Sequence, residues 1–315
     1  MPRKLRLNSL TADKSAVEKL LQESIEYGDF VGELQYQERL NELSNEISAL
    51  KADVPTNASV ALFFGGEPVL GSHGISASFA GNALDKFQTL INKTFANKES
   101  GALGERGKVP LKRNSNLMVT QVVKGSFGFV LDEVSDQIEI TETALKSTVE
   151  DVLNMINTSA QNDEALFEEL IDSLDKRILQ SLKEFFEVLD KAHSTIRIVG
   201  DEQEYNLDSN LIHRARKRVE STDITECDEV ITITLTGYLP EHCKFEGKLE
   251  DGSFIYGTVS KQASKQYTQD YYGSKLDVLV QKKVIKPLNG QERELIKIKE
   301  FKTAYNKAFK SDSQR

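Results

Sequence analysis

The sequence has few cysteines and no long apolar run. Only Cys227 and Cys243 occur among its 315 residues, too few for a disulfide framework, and we expect both thiols to be reduced. No apolar stretch approaches the roughly 18 residues that a membrane-spanning helix needs. The basic start MPRKLRLNSL lacks the apolar core of a signal peptide. We therefore expect a cytoplasmic protein without a membrane partner.

The residue patterns of common catalytic and metal sites are also missing. The four histidines include no pair at the i, i+4 spacing of a helical zinc site, and no CxxC motif occurs. Ser72 and His73 are neighbours but lack the G-x-S-x-G elbow of a hydrolase. The segment GALGERGK (101–108) has five residues between its outer glycines and a valine after its lysine, so it departs from a P-loop. We expect no metal and no cofactor.

Acidic residues exceed basic ones, and the excess is local. The net charge is −9, which opposes nonspecific binding of nucleic acid by the whole chain. Residues 141–190 hold 12 acidic and 4 basic residues, whereas residues 223–315 hold 14 acidic and 15 basic residues. The acidity therefore lies mainly in the central region, and the C-terminal region is close to neutral.

Hydrophobic periodicity predicts an α+β protein. Apolar residues recur at helical spacing over residues 11–28 and 34–52, which indicates an N-terminal helical hairpin. Strand–strand–helix units follow three times, the third after a long acidic helix at 163–192. Each unit has an apolar strand face that its helix can cover, so we expect antiparallel sheets in two-layer packing.

The C-terminal region alternates polar and apolar residues over five short strands. Turn dipeptides occur at Asp251–Gly252 and Asn289–Gly290. This pattern predicts a small antiparallel β-barrel of the SH3-like or OB-like kind. The predicted domains are a helical hairpin (1–53), two strand–strand–helix units (54–160), an acidic helix with the third unit (161–225), a barrel (226–302) and a polar tail (303–315).

The stretch KGSFGFVLDE (124–133) has the glycines of a ligand loop and ends in paired acids. We interpret it as a hairpin in which Lys124, Gly125 and Ser126 form the turn. Phe127 and Phe129 lie on the same strand face and point toward the core, and Gly128 between them relieves crowding or marks a bulge. Adjacent acids on a strand point to opposite faces, so Asp132 and Glu133 cannot act together without help from elsewhere.

Clusters of basic and aromatic residues are the candidate binding sites. The helix at 207–221 concentrates basic side chains, and lysines and tyrosines of the barrel could form a stacking platform for single strands. The same basic helix could equally dock on an acidic helix of its own chain or of a partner. The polar loop before Leu117 is basic and could receive an anion. The candidate nucleic-acid or partner-binding residues are Arg214, Arg216, Lys217, Arg218, Lys282, Lys283, Tyr271 and Tyr272, and those of the anion-binding loop are Arg106, Lys108, Lys112 and Arg113.

Three functional hypotheses follow. The first is a non-enzymatic interaction or adaptor subunit of a cytoplasmic bacterial-type assembly, in defence or nucleic-acid processing, with protein partners or copies of itself. The second is a nucleic-acid-binding protein that uses the barrel and the basic helix. The third is a hydrolase or metal-dependent nuclease centred on Asp132, Glu133 or His73, which would need partner groups that the sequence does not place.

Overall fold

A computed structural model describes residues 1–101, 103–104, 106–123, 127–134, 141–287 and 292–302. The predicted turns at 124–126 and 289–290 and the tail at 303–315 lie outside the described residues. The chain divides into two compact units, Met1–Glu220 and Ser221–Arg315. The α+β prediction is confirmed, with a helical pair at the N-terminus and a closed barrel at the C-terminus.

The first unit combines helices with one main sheet. Its helices are α1 (Arg3–Tyr27), α2 (Phe30–Ala52), α3 (Ala77–Ser100), α4 (Ala144–Ala160), α5 (Glu164–Ser173), α6 (Lys176–Lys191) and α7 (Ser209–Glu220). Its strands are β1 (Ser59–Gly66), β2 (Val69–Leu70), β3 (Gly74–Ile75), β4 (Met118–Val123), β5 (Phe127–Asp132), β6 (Ser194–Val199) and β7 (Glu204–Leu207). A 3-10 turn at Lys112–Ser115 precedes β4.

The helices α1 and α2 form the predicted helical hairpin. Gly28 ends α1 in the left-handed conformation, with φ of 70°, which glycine adopts without a steric penalty. Asp29 begins α2, because its Oδ1 accepts a hydrogen bond from the Gly32 amide at 3.0 Å. Leu43 is fully buried in α2, whereas Leu20 and Ile25 of α1 are 41% and 56% exposed, so the hairpin buries its apolar stripe only in part.

The three strand–strand–helix units contribute to one antiparallel sheet in the order β4–β5–β1–β6–β7. The first strand–strand–helix unit supplies the central strand β1, and its β2 leaves the sheet to pair with β3. The second strand–strand–helix unit supplies β4 and β5, and the third supplies β6 and β7. The register places Leu62 of β1 opposite Phe129 on one side and Ile198 on the other.

Both faces of this sheet are covered at its centre. On one face the Phe64 ring meets the Phe79 ring of α3 edge-on, with centroids 5.4 Å apart, and α4, α6 and α7 also contact the sheet. On the other face Phe63 belongs to a smaller buried cluster against which Leu5 of α1 packs. The Arg197 guanidinium lies over the Phe63 ring at 5.2 Å. Gly128 of β5 allows this ring to lie close, since a Cβ there would be 2.3 Å from it.

The structure divides the predicted helix at 163–192 into α5 and α6. Asp175 lies between them and caps α6, because its Oδ1 accepts a hydrogen bond from the Arg177 amide at 2.7 Å. Its Oδ2 accepts another from the Leu103 amide at 2.9 Å. Leu103 belongs to a loop far away in sequence, so the apolar spacing of the helix did not reveal this break. The polar loop before Leu117 begins only after α3, which continues to Ser100.

The second unit is a closed five-stranded barrel. Its strands are β8 (Thr222–Leu239), β9 (Lys244–Lys248), β10 (Phe254–Val259), β11 (Lys275–Pro287) and β12 (Arg293–Lys302), and a short helix α8 (Lys261–Ser264) follows β10. Going round the barrel, β8 pairs with β9, β9 with β10, β10 with β12, β12 with β11, and β11 with β8. Only the β10–β12 pair is parallel among them. This strand order is that of an OB-like barrel rather than an SH3-like one.

The barrel interior is apolar. Its buried residues include Ile233, Leu235, Phe245, Val259, Leu276, Val278, Val280, Ile298 and Phe301. Gly257 allows the parallel pair to close, because a Cβ at this position would lie 2.1 Å from the Ile296 carbonyl oxygen.

Two phenylalanines of the first unit provide a matched test of the fold. Phe64 is 1% exposed and Phe30 is 82% exposed. Phe64→Ala should lower the free energy of unfolding by about 3–5 kcal/mol, because it removes a buried ring. Phe30→Ala should change it by less than about 0.5 kcal/mol. Urea denaturation followed by circular dichroism measures both, and equal losses would contradict the central position of β1.

Candidate nucleic-acid interface

A groove on the outer surface of the barrel runs across β9 and β10 and the end of β8. Antiparallel pairing places Tyr256 opposite Glu246, Phe254 opposite Lys248 and Thr258 opposite Lys244. All six side chains lie on the solvent side, because the residues between them, such as Phe245 and Ile255, point into the barrel. The period-two alternation of the two strands thus produces a row of aromatic and charged groups on one face.

Aromatic rings in this groove are unusually open to solvent. Tyr256 and Tyr272 are each 64% exposed, and Leu239 and Phe254 are also more than half exposed. The groove has a volume of about 670 Å³ and includes Leu239, Tyr256 and Tyr272 among its lining residues. Phe254 lies beside it on β10, with the Lys248 Nζ 5.8 Å from its ring centroid. Contiguous exposed apolar surface rimmed by polar groups marks interaction sites and ligand-binding grooves.

Charged groups of both signs accompany these rings. Lys244 and Lys248 are exposed at the two ends of β9. Glu246 lies between them and accepts a hydrogen bond from Thr236 Oγ1 at 2.8 Å, so its carboxylate is partly engaged. Exposed ring faces can stack on nucleobases, and lysines can neutralise the phosphates between them. The groove therefore has both components of a single-strand binding surface.

The predicted barrel residues lie in different environments. Tyr272 lines the groove, whereas the Tyr271 ring lies on the Phe301 side chain of the barrel core, with centroids 5.3 Å apart. Lys282 forms an ion pair with Glu229 at 3.0 Å, and Lys283 is 9% exposed. Of these four residues, the structure places Tyr272 with the groove.

Sequence analysis did not identify Lys244, Lys248, Phe254 and Tyr256 as candidates. Their alternation with buried residues in KFEGK and FIYGT was a signal for outward positions. It could not show that the two strands are neighbours of Tyr272, because the residues between β10 and Tyr272 hold no regular pattern.

The basic helix α7 docks on its own unit. Arg214 donates to the Ala160 carbonyl at the end of α4. Arg218 forms an ion pair with Glu164 at 2.8 Å and lies over the Phe167 ring at 4.1 Å. These contacts hold two of the four predicted basic side chains against α4 and α5. Nucleic-acid binding by this helix stays a prediction.

Arg216 contacts α6 instead, and Lys217 remains exposed. Arg216 Nη1 donates to Asp190 at 2.9 Å, and Asp190 also contacts His213 Nδ1 at 3.1 Å. Burial of the Asp190 carboxyl opposes its ionisation, but the hydrogen bonds from His213 and Arg216 outweigh burial and lower its pKa below the ordinary value.

The predicted anion-binding loop is exposed at all four basic positions, Arg106, Lys108, Lys112 and Arg113. Arg106 and Lys108 precede the 3-10 turn, and Lys112 and Arg113 lie within it. Arg177 of α6 donates to the Gly107 carbonyl at 3.0 Å, which ties the loop to the helical layer. The structure places these side chains on the surface of the first unit, and anion binding stays a prediction.

The paired acids Asp132 and Glu133 hold neighbouring groups of the fold. Asp132 accepts hydrogen bonds from Ser59 Oγ at 2.5 Å and from Thr120. Burial opposes its ionisation, but the hydrogen bonds from these hydroxyls and from the Met1 amino group at 3.0 Å together outweigh burial and lower the pKa of Asp132. Glu133 accepts a hydrogen bond from the Ala58 amide at 2.8 Å. Both carboxylates thus join β5 to the adjoining chain.

A metal cluster and a membrane-spanning helix are both absent from the described ranges. Over those residues, no three metal-binding side chains of the His, Cys, Asp and Glu types come together. Nor is any helix there long and apolar enough to cross a membrane. Cys227 and Cys243 are both free thiols.

Comparison with known proteins gives no relative: the chain matches no family model, and it has no significant match among the curated proteins or the solved structures. The function must therefore be argued from the surfaces of the molecule.

The contacts of Asp190 predict an acid-dependent loss of stability. Because its pKa is lower in the folded chain, the ionised carboxylate stabilises the fold above the ordinary pKa of aspartate, and this contribution is lost as the pH falls through the folded-state value. Asp190→Asn should lower the melting temperature at about pH 7 and have a smaller effect at about pH 3. Thermal unfolding at both pH values measures this. The exposed Asp13→Asn serves as control, and an equal effect of Asp190→Asn at both values would contradict the interpretation.

Proposed function

We propose that the chain is a non-enzymatic binding protein whose barrel holds single-stranded nucleic acid in the groove across β9 and β10. The observation that carries this proposal is the row of exposed aromatic rings, Tyr256, Tyr272 and Phe254, beside Lys244 and Lys248. OB-fold barrels bind oligonucleotides and oligosaccharides on the face formed by their second and third strands. In this barrel β9 and β10 are those strands.

Two exposed lysines against one carboxylate, that of Glu246, which accepts from Thr236, favour an anionic polymer over a neutral sugar. Lys244 and Lys248 are exposed at the two ends of β9, about four residue steps or 13 Å apart along the strand. This spacing lets the two lysines contact different phosphates of one extended strand. Two tyrosine rings between and beside the lysines would stack on the intervening bases. Base stacking of this kind tolerates any sequence, because every base has a π-face.

Fluorescence anisotropy with labelled single-stranded DNA and RNA tests the proposal. Tyr256→Ala and Tyr272→Ala should each weaken binding by roughly 5- to 100-fold, the effect of losing one base–aromatic stack. Tyr27→Ala removes an even more exposed tyrosine from the other unit and should leave the affinity unchanged. Wild-type protein that binds neither DNA nor RNA at low salt would overturn the proposal.

The salt dependence of the same binding separates nucleic acid from sugar as the ligand. Lys244→Gln and Lys248→Gln should each make the slope of log affinity against log salt shallower by about 0.7, the value for one lost phosphate contact on a single strand. Binding of a neutral oligosaccharide that is insensitive to both lysines would instead assign the groove to carbohydrate.

An interaction subunit is a second candidate, and the tip of the N-terminal hairpin favours it. We define the arm tip as Ile25, Tyr27, Phe30, Val31 and Leu34, which are all more than half exposed. Five large apolar side chains within ten residues exceed what a solvated helix turn normally shows. Residues 20–38 contain five acidic residues and no lysine or arginine. The tip therefore fits an apolar groove with a basic rim on another protein.

Chemical cross-linking in cells followed by mass spectrometry tests this second candidate. The double variant Phe30→Ser, Leu34→Ser should lose the cross-linked partner, while its melting temperature and nucleic-acid affinity stay unchanged. Gln37→Ser is a matched control, since it alters an exposed position on the same helix without removing apolar surface. Identical cross-links from both variants and the wild type would contradict a role for the arm tip.

A further inference from the structure

We infer that the outer edge of β4 pairs with β4 of a second copy of this chain, so that two five-stranded sheets join into one. β4 is the terminal strand of its sheet on the β5 side. Its residues Met118–Val122 are all exposed. Met118, Val119 and Val122 are each about half exposed or more, at 59%, 49% and 57%.

The sequence of this edge, MVTQVV, has little that would prevent pairing. It contains no charge, no proline and no glycine, and β-branched residues such as Val119, Thr120 and Val122 favour strands. Proteins usually protect edge strands with lysines, prolines, bulges or a covering element. Among the residues that the structure describes, this edge carries only a bulge near Thr120. A neutral apolar edge of six residues is a template for another strand.

The opposite edge of the same sheet is protected in the expected way. β7 has only four residues and carries Glu204, whose carboxylate accepts from Arg197 at 2.8 Å. Asn8 of α1 also donates to Glu204 at 3.3 Å, and Lys4 donates to the Glu202 carbonyl at 3.3 Å. Charge, shortness and a neighbouring helix therefore combine at β7. The contrast within one sheet indicates that the open state of β4 serves a contact.

A second copy of β4 is a self-complementary partner for this edge. In antiparallel pairing centred between Thr120 and Gln121, Val119 of one copy lies opposite Val122 of the other, twice by symmetry. Both valines lie on the helix-covered side of the sheet, because they pair with Leu131 and Phe129 of β5. In the dimer, Val119 and Val122 of each copy would thus continue the row of apolar side chains that includes Phe129 on this side of the sheet.

Charge also favours a second copy at β4 and not at the arm tip. The neutral β4 segment can approach its own copy without like-charge repulsion, whereas the acidic arm tip would repel itself. One strand pair buries a small area, so the dimer should be weak and should depend on concentration.

Sedimentation velocity and hydrogen exchange of the full chain test the inference together. A concentration series should show a monomer–dimer equilibrium. Hydrogen exchange at low and high concentration should show that β4 amides gain protection as the dimer forms. A wild-type protein that stays monomeric throughout, or a dimer without added protection in β4, would overturn the inference. A foreign strand as the true occupant would give the first of these results.

Matched lysine variants locate the interface. Val119→Lys with Val122→Lys should leave the fold intact, because both side chains are already half exposed, and should give a monomer at every concentration. Val31→Lys on the arm tip introduces the same charge at an exposed valine and should leave the dimer unchanged. A dimer that survives the double β4 variant but is lost in Val31→Lys would assign self-association to the hairpin and reject the β4 pairing.

Discussion

The first unit depends on the burial of β1. Five consecutive residues of this strand, from Val60 to Phe64, are buried, although successive side chains point to opposite faces. A strand with two apolar faces needs cover on both sides and a neighbour on each edge. Strands β5 and β6 occupy the edges, helices cover one face, and the start of α1 covers part of the other. The order of the surrounding elements thus gives β1 a paired strand on each edge and apolar cover on both faces.

The exposed apolar surfaces lie where such cover ends. Among the described residues, the helical layer does not reach the β4 edge, the arm tip lies at the exposed turn of the hairpin, and β9 and β10 of the barrel leave their outer rings open. Burial of apolar area is the main favourable term in folding. The exposed apolar side chains of these three surfaces therefore contribute little to folding, and they reduce the solubility of the chain. We interpret them as surfaces retained for contacts with other molecules. The basic helix α7 is the opposite case, since three of its arginines contact the unit that carries it.

Local sequence patterns predicted much of the architecture. Apolar spacing located the helical hairpin and the third strand–strand–helix unit, and turn residues with period-two alternation indicated the barrel. The continuous apolar run VALFF was a further signal, because a strand buried on both faces shows no alternation. Patterns failed where a distant contact decided the outcome. Asp175 breaks the predicted long helix because it caps α6 and binds the Leu103 amide, a partner that helical spacing does not contain.

In the candidate groove, too, local patterns determined some features and contacts between distant residues determined others. Alternation along β9 and β10 alone determined which side chains leave the barrel, and the composition of those strands determined that they are aromatic and basic. Whether these side chains meet depended on closure of the barrel, which places β9 between β8 and β10 and seals it with the parallel β10–β12 pair. The sequence by itself therefore determined the elements and their polar and apolar faces, because these depend on neighbours within a few residues. Only the tertiary structure decided which faces are covered and which exposed residues share a surface, because pairing between strands joins residues that are far apart in the chain.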